Sequence, residues 1–184
     1  MTEASPGEVR VWDPFVRLYH WSQAALIGVA WITADEIKWL HEWAGYVVAA
    51  LLAVRVVWGV IGPRHARFSD FVRGPSAVLG YLRDLRRGNA PRYLGHNPAG
   101  GAMIVALILS VAATATSGWL LTTDAFWGSE MMQAVHEAFA NLILVLVAFH
   151  VGGVILESRR HGENLALAMV TGRKRSTLPD RGGL

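Results

Sequence analysis

Residues 132–156 read MQAVHEAFANLILVLVAFHVGGVIL, a run with one carboxylate, Glu137, and with His136 and His150 fourteen positions apart. A helix rises about 1.5 Å per residue, so the run exceeds the roughly 20 residues that cross about 30 Å of hydrocarbon. Fourteen steps of ~100° bring the two histidines to within ~40° of one face and leave them ~21 Å apart along the axis. The stretch therefore predicts a membrane helix that offers its neighbours imidazoles at two depths. Ionisable side chains inside a span are costly and usually functional.

Three further segments meet the same length test, at about 16–33, 41–61 and 101–121. The first is the least apolar, because it contains His20, Ser22 and Gln23. Trp12, Tyr19, Trp21 and Trp31 suit its interfacial ends. The expected fold is all-α: an integral membrane four-helix bundle in one domain, 1–172, followed by a polar tail, 173–184, without fixed structure. An apolar content of 53% over 184 residues agrees with long buried or lipid-facing runs. The connections differ in length. Helices one and two turn around Asp35-Glu36-Ile37-Lys38, and helices three and four are joined by residues 122–131. Helices two and three are separated by residues 62–100, in which a short helix is predicted at 75–87. Pro75 sits at its favoured start and Gly88 near its end. The first fifteen residues are polar and contain Pro6 and Pro14. They lack a charged n-region followed by an apolar h-region, so the first span is expected to act as its own insertion signal.

Charge orients the bundle. Of 17 basic residues, all but Lys38 and Arg55 fall in the N-terminal segment, the long middle segment or the tail. Four spans put these three on one side, and the positive-inside rule makes that side cytoplasmic, with both termini there. The opposite loops carry Asp35, Glu36, Glu42, Asp124, Glu130 and Glu137 against Lys38 alone. The basic middle segment is expected to lie on anionic lipid headgroups rather than on nucleic acid. A homodimer stays open.

His20 opens the first helix on the basic side, and His41 opens the second on the acidic side. On the fourth helix His136 lies towards the acidic side and His150 towards the basic side. The depths pair His20 with His150 and His41 with His136, each pair from two helices. Two facing imidazoles are the axial set for a planar macrocycle in a bundle core. There is no cysteine, which excludes disulfides, iron–sulfur ligation, thiol catalysis and covalent c-type attachment. The expectation is two noncovalent bis-histidine haem b groups. Zinc would want three or four clustered ligands, which two separated pairs do not offer. A single such histidine would more simply be a helix-packing residue, and a proton relay does not explain two pairs of equal depth.

Arg55 is the one basic residue deep in an apolar span, fourteen positions after His41. It can bind a haem propionate in bidentate fashion or snorkel to the interface near Trp58. Gly45, Gly118, Gly152 and Gly153 would let helices or a porphyrin approach closely, a feature common to membrane bundles. At the entry to the third span, Asn97 and the free amides up to Gly100 could donate to the carbonyl of ubiquinone or menaquinone. The alternative is an ordinary helix cap by Asn97 with Pro98 in the first turn. His65, His96 and His161 read as surface or loop-packing residues with no ligand role, although proton-coupled quinone chemistry could recruit His65 or His96.

Val11-Trp12-Asp13-Pro14, Arg17 and His20-Trp21 resemble the opening of the bacterial cytochrome b561 and hydrogenase b-type cytochrome superfamily. So do Arg55-Val56-Val57-Trp58-Gly59, Gly62-Pro63-Arg64-His65-Ala66-Arg67-Phe68 and Gly95-His96-Asn97-Pro98-Ala99-Gly100. The similarity runs from about Val9 to Gly172. It implies a four-helix, two-haem cytochrome b in a bacterial inner membrane, with haem ligands in helices one, two and four. Such proteins include hydrogenase membrane subunits, superoxide-oxidising quinone reductases and b-type partners of c-type cytochromes. Two axial histidines per iron favour electron transfer over chemistry at the metal. The expected function is transfer between the quinone pool and an extracytoplasmic partner such as a c-type cytochrome. Superoxide:ubiquinone oxidoreduction, or service as the membrane subunit of a hydrogenase or dehydrogenase, are the alternatives.

Overall fold

The structure, a computed structural model, describes residues 7–176. The reading of the first residues as an uncleaved start, and that of the tail from 177 on, lie partly or wholly outside them. Among the described residues the regular structure is almost entirely helical. A short strand β1 (Glu8–Arg10) precedes α1 (Pro14–Thr33), α2 (Lys38–Ile61), a one-turn 3-10 segment (Arg64–Ala66), α3 (Phe68–Phe71) and α4 (Pro75–Arg86). Then come α5 (Pro98–Leu121), α6 (Glu130–His161), α7 (Leu165–Thr171) and β2 (Arg173–Arg175).

The long helices start where the sequence supplies caps. Asp13 accepts from the amide of Val16 and Pro14 occupies the first turn of α1; Ser129 accepts from Met132 at the start of α6. Gly162, at φ 56°, ends α6 in the left-handed conformation that an L side chain resists. Three helices, α2, α5 and α6, are long and apolar enough to cross a membrane. The polar residues of α1, Arg17, His20, Ser22 and Gln23, set it apart from these three.

Packing is uneven around the bundle. α1 lies along α2, α2 along α5 and α5 along α6, whereas α6 makes few close approaches to α1 or α2. Between the long helices the buried apolar cluster is a thin layer: Val48 and Leu52 from α2, Val111 from α5 and Ile143 from α6, with Leu26 and Ile27 of α1 against them. Ile143 lies seven residues from each of His136 and His150, so this layer separates the two histidine levels. Large apolar side chains such as Val57, Leu109, Val145 and Phe149 point outward along the helices. In water that would be unfavourable, but against lipid it is the expected arrangement.

The basic end is closed by a clasp that differs from the sequence expectation. Residues 173–175 do not trail away: β2 pairs antiparallel with β1, Glu8 opposite Arg175 and Arg10 opposite Arg173. Lys174 is only 6% exposed, and its ammonium donates to the carbonyls of Tyr93 and Leu94 at 3.1 and 2.9 Å. Glu163 accepts from Arg92 at 3.0 Å and from the amide of Arg175 at 2.7 Å. Arg17 donates to the carbonyl of Val170, which ties α1 to α7. The N-terminal strand, the middle segment and the tail thus form one cap. Glycines permit two close approaches beneath it: Gly59 faces the ring of Phe68, and Gly101 faces the carbonyl of Phe71.

Candidate functional site

The four span histidines form two facing pairs. His20 on α1 faces His150 on α6, with ring centroids 6.2 Å apart and planes at 49°. His41 on α2 faces His136 on α6, with centroids 6.0 Å apart and planes at 78°. Each pair bridges helices that otherwise scarcely meet. Metal–imidazole bonds of about 2 Å on either side, plus about 1 Å from ring nitrogen to centroid, separate two axial rings by about 6 Å. The observed spacing therefore suits one metal centred between the rings, and the gap between α6 and the α1–α2 pair suits a flat group extending around it.

The two levels differ in their support. At the acidic end both ligand candidates are fixed from behind. His41 Nδ1 lies 2.8 Å from the carbonyl of Ala30, one helix away. His136 Nδ1 lies 3.0 Å from the carbonyl of Thr114 and 3.2 Å from the hydroxyl of Ser117. A carbonyl only accepts, so in both rings the proton sits on Nδ1 and the lone pair on Nε2, the arrangement a metal-bound imidazole requires. Gly118 makes room for this, since a side-chain carbon there would come within 2.9 Å of His136 Cε1. Gly45, Gly152 and Gly153 meet no atom that would crowd an added carbon.

At the basic end the support is incomplete. Nδ1 of His20 is buried and has no protein partner. Arg55, 4% exposed, donates through Nη2 to the carbonyl of Ala66 at 3.1 Å and lies 5.2 Å over the Phe68 ring, while its Nη1 is unpartnered. Its guanidinium is thus held inside the protein and does not reach out to solvent. Gln23, one turn beyond His20, is buried with both ends of its amide unmatched. A group with acceptor atoms at this level would satisfy donors that the protein alone leaves unpaired.

Beside this level, the middle segment builds a polar cluster. Asp70 accepts from Arg64 at 3.2 Å and pairs with His65 at 3.0 Å. Burial alone would raise its carboxyl, but the hydrogen bonds from His65 and Arg64 outweigh that and hold it below the ordinary carboxylate range. Asn97 caps α5, accepting from the amide of Gly100 at 2.7 Å, and donates through Nδ2 to the hydroxyl of Tyr81 at 2.8 Å. Both polar ends of Asn97 are therefore engaged, and one N–H of its amide is left beyond the bond to Tyr81. His161 pairs with Glu157 at 3.1 Å, away from either imidazole pair. Reading the sequence alone missed Ser117 and the carbonyls of Ala30 and Thr114, and did not place His96, whose ring is packed between Trp12 and Phe71. Only Gly118, a glycine in an apolar helix, carried a signal that could have pointed to the first of these. Among the described residues there is no cluster of three or more potential metal-binding side chains.

The chain matches the family described as prokaryotic cytochrome b561 over residues 11–172, and it belongs to that family. It is 24% identical to a probable Ni/Fe-hydrogenase B-type cytochrome subunit of Bradyrhizobium diazoefficiens, over 90% of this chain and 85% of that protein. A protein of the same description from Rhizobium leguminosarum bv. viciae is 23% identical, over 90% of this chain and 88% of that protein. No solved structure matches the chain. The protein is thus a membrane cytochrome b with an electron-transfer role, and its family implies b-type haem.

Proposed function

From that membership we propose that the chain passes electrons across the membrane between a quinone pool and an extracytoplasmic redox partner, through two haems held by His20 with His150 and by His41 with His136. The observation that carries this reading is the pair of facing imidazole sets at two depths of one helix, α6, with an apolar layer between them. In this reading α1 also crosses the membrane, the polar burden of His20 being relieved by its metal, and the basic end is cytoplasmic.

Bound at these positions, a b-type haem supplies a one-electron couple at each level. The protein's part is positional. The carbonyls of Ala30 and Thr114 hold the Nδ1 protons of His41 and His136, keeping each Nε2 free to bind metal. Two histidines would hold each haem, and a haem so held would favour outer-sphere electron transfer over ligand binding at its metal. Val48, Leu52, Val111 and Ile143 keep water out of the space between the levels. Arg55 places a fixed positive charge beside the basic-end pair, which suits a propionate and stabilises the reduced state of that centre.

The partner docks at the acidic end. Six carboxylates and Lys38 lie in or beside two short connections next to His41 and His136, so a cationic partner such as a c-type cytochrome would be steered there. The descriptions of both relatives favour a second reading, in which the partner is a hydrogenase and this chain is its membrane subunit. Superoxide ranks below both, because an anion would meet mostly negative charge. The quinone belongs in this reading at the basic end, near the start of α5.

Proteoliposomes carrying the protein, with a quinol inside and oxidised cytochrome c outside, test the proposal. Reduction of the external cytochrome that disappears in His150→Ala is expected. A rate equal to that of protein-free vesicles contradicts it.

A further inference from the structure

Buried polar atoms without a partner are not scattered through this protein. Apart from Arg92, every one among the described residues belongs to the level of His20, on α1, on α2 or at the entry to α5. At the acidic-end pair both Nδ1 atoms are satisfied. Protein interiors do not normally leave buried donors unmatched, because each then loses its hydration without compensation. The two best fixed of these groups are Arg55 and His96.

Arg55 is pinned by Ala66 and Phe68, which leaves Nη1 as its unmatched donor. The carboxylate acting most directly on it, Asp13, is engaged in capping α1 and makes no ion pair with it. His96 is held by two rings, Trp12 at 4.6 Å and Phe71 at 4.9 Å, and its Nδ1 is shut off from solvent with no partner. We propose that His96 Nδ1 and Arg55 Nη1 are the two jaws of a clamp on one propionate carboxylate of the haem held by His20 and His150. The proposal rests on the ligand assignment above and extends it to a residue outside the spans.

Three arguments support the clamp. First, both groups rest on one aromatic pair: the guanidinium of Arg55 lies over Phe68, Phe68 packs on Phe71 at 5.8 Å, and Phe71 holds the ring of His96 at 4.9 Å. Second, burial, and after it the charges of Arg55 and Lys174, push the pKa of His96 down to about 3. Before a carboxylate binds, its ring is therefore uncharged at neutral pH and can offer one N–H, beside a guanidinium that offers charge. One cation and one neutral donor call for a single anion with two acceptor oxygens, which a carboxylate supplies and a quinone carbonyl does not. Third, Trp12 and Phe71 fix the ring of His96, so little side-chain freedom is lost when it grips the carboxylate. His96 is then a positioning residue: it orients the macrocycle and partly offsets the charge of its propionate.

The test uses the purified, haem-loaded protein in detergent. His96→Leu removes the donor, and His96→Gln keeps one. The readouts are the propionate bending band in resonance Raman, the midpoint potential of the component that His20→Ala abolishes, and the rate of haem transfer to apomyoglobin. His96→Leu is expected to shift the band, lower that one potential and speed haem loss from that site roughly tenfold, the effect of losing a hydrogen bond to a charged group. His96→Gln should restore the band and most of the potential. The other component reports whether the variant has folded; if His96→Leu does not assemble, Arg55→Gln is read by the same band. An unmoved band and potential, or equal shifts in both components, overturn the clamp. If instead His20→Ala and His150→Ala abolish no component, the ligand assignment itself fails and the clamp falls with it; loss of one component in both with an unmoved band in His96→Leu overturns the clamp alone.

Discussion

His41 and His136 face each other with ring centroids 6.0 Å apart, although the helices that carry them, α2 and α6, scarcely touch. Side chains usually meet because their helices pack; here the rings are brought opposite each other across a gap. The same holds for His20 and His150. A flat group filling both gaps would supply the packing that α6 lacks on that side. The first prediction follows from the pairing. His20→Ala and His150→Ala should abolish the same component of a redox titration, and His41→Ala and His136→Ala the other. Loss of different components within either pair would refute the assignment.

Gly118 tests the back of the acidic-end site. A side-chain carbon there would press on His136 Cε1, so Gly118→Val should displace the ring and reduce or shift the acidic-end component alone. Ser117→Ala should do much less, by about 1 kcal/mol of site stability, because the Thr114 carbonyl still holds Nδ1. Redox titration with haem quantitation checks both. An unchanged titration in Gly118→Val would contradict this role for the glycine.

Charge at the acidic end should govern docking. Exchange with a basic cytochrome c should slow as salt rises, since exposed charges are screened within about 8 Å at physiological ionic strength. Replacing Asp35, Glu36, Asp124 and Glu130 with their amides should slow association at unchanged haem content. Stopped-flow kinetics over a salt series measure this. Should neither change matter while superoxide reduces the haems rapidly, the superoxide reading replaces the docking one.

Acid should open the clasp. Burial alone would raise the Glu163 carboxyl, but the Arg175 amide and Arg92 outweigh burial and hold it below the ordinary carboxylate range. A carboxyl whose pKa is depressed on folding adds stability above its unfolded value, about 4.3, and that stability is lost as pH falls through the folded value. The hydrogen-exchange protection factor of the Arg175 amide should therefore stay high at neutral pH and drop below that range. Glu163→Gln should lower it at neutral pH. Equal protection across this range in the native protein would show that the carboxylate does not hold the tail.

The long helices and the depths of their histidines were legible because both rest on local regularities, apolar run length and a period of 3.6. The polar content of α1 weakened the same signal there, and its crossing of the membrane remains part of the proposal. The clasp was not legible. β1 and β2 are three residues each and lie at opposite ends of the chain, so no local pattern announces their pairing. Arg173-Lys174-Arg175 looked like a solvated basic tail, but two backbone carbonyls accept the Lys174 ammonium and allow its burial. His96 read as a loop residue for a similar reason: the rings that enclose it come from residues 12 and 71, distant in sequence.

The haem-to-protein ratio of the purified protein tests the central claim most directly. With no cysteine to anchor a haem, acid–organic extraction should release all of it. The pyridine haemochrome assay should then give two b-type haems per chain, falling to one in His150→Ala. A ratio near one in the unaltered protein, or two retained in His150→Ala, would contradict the account.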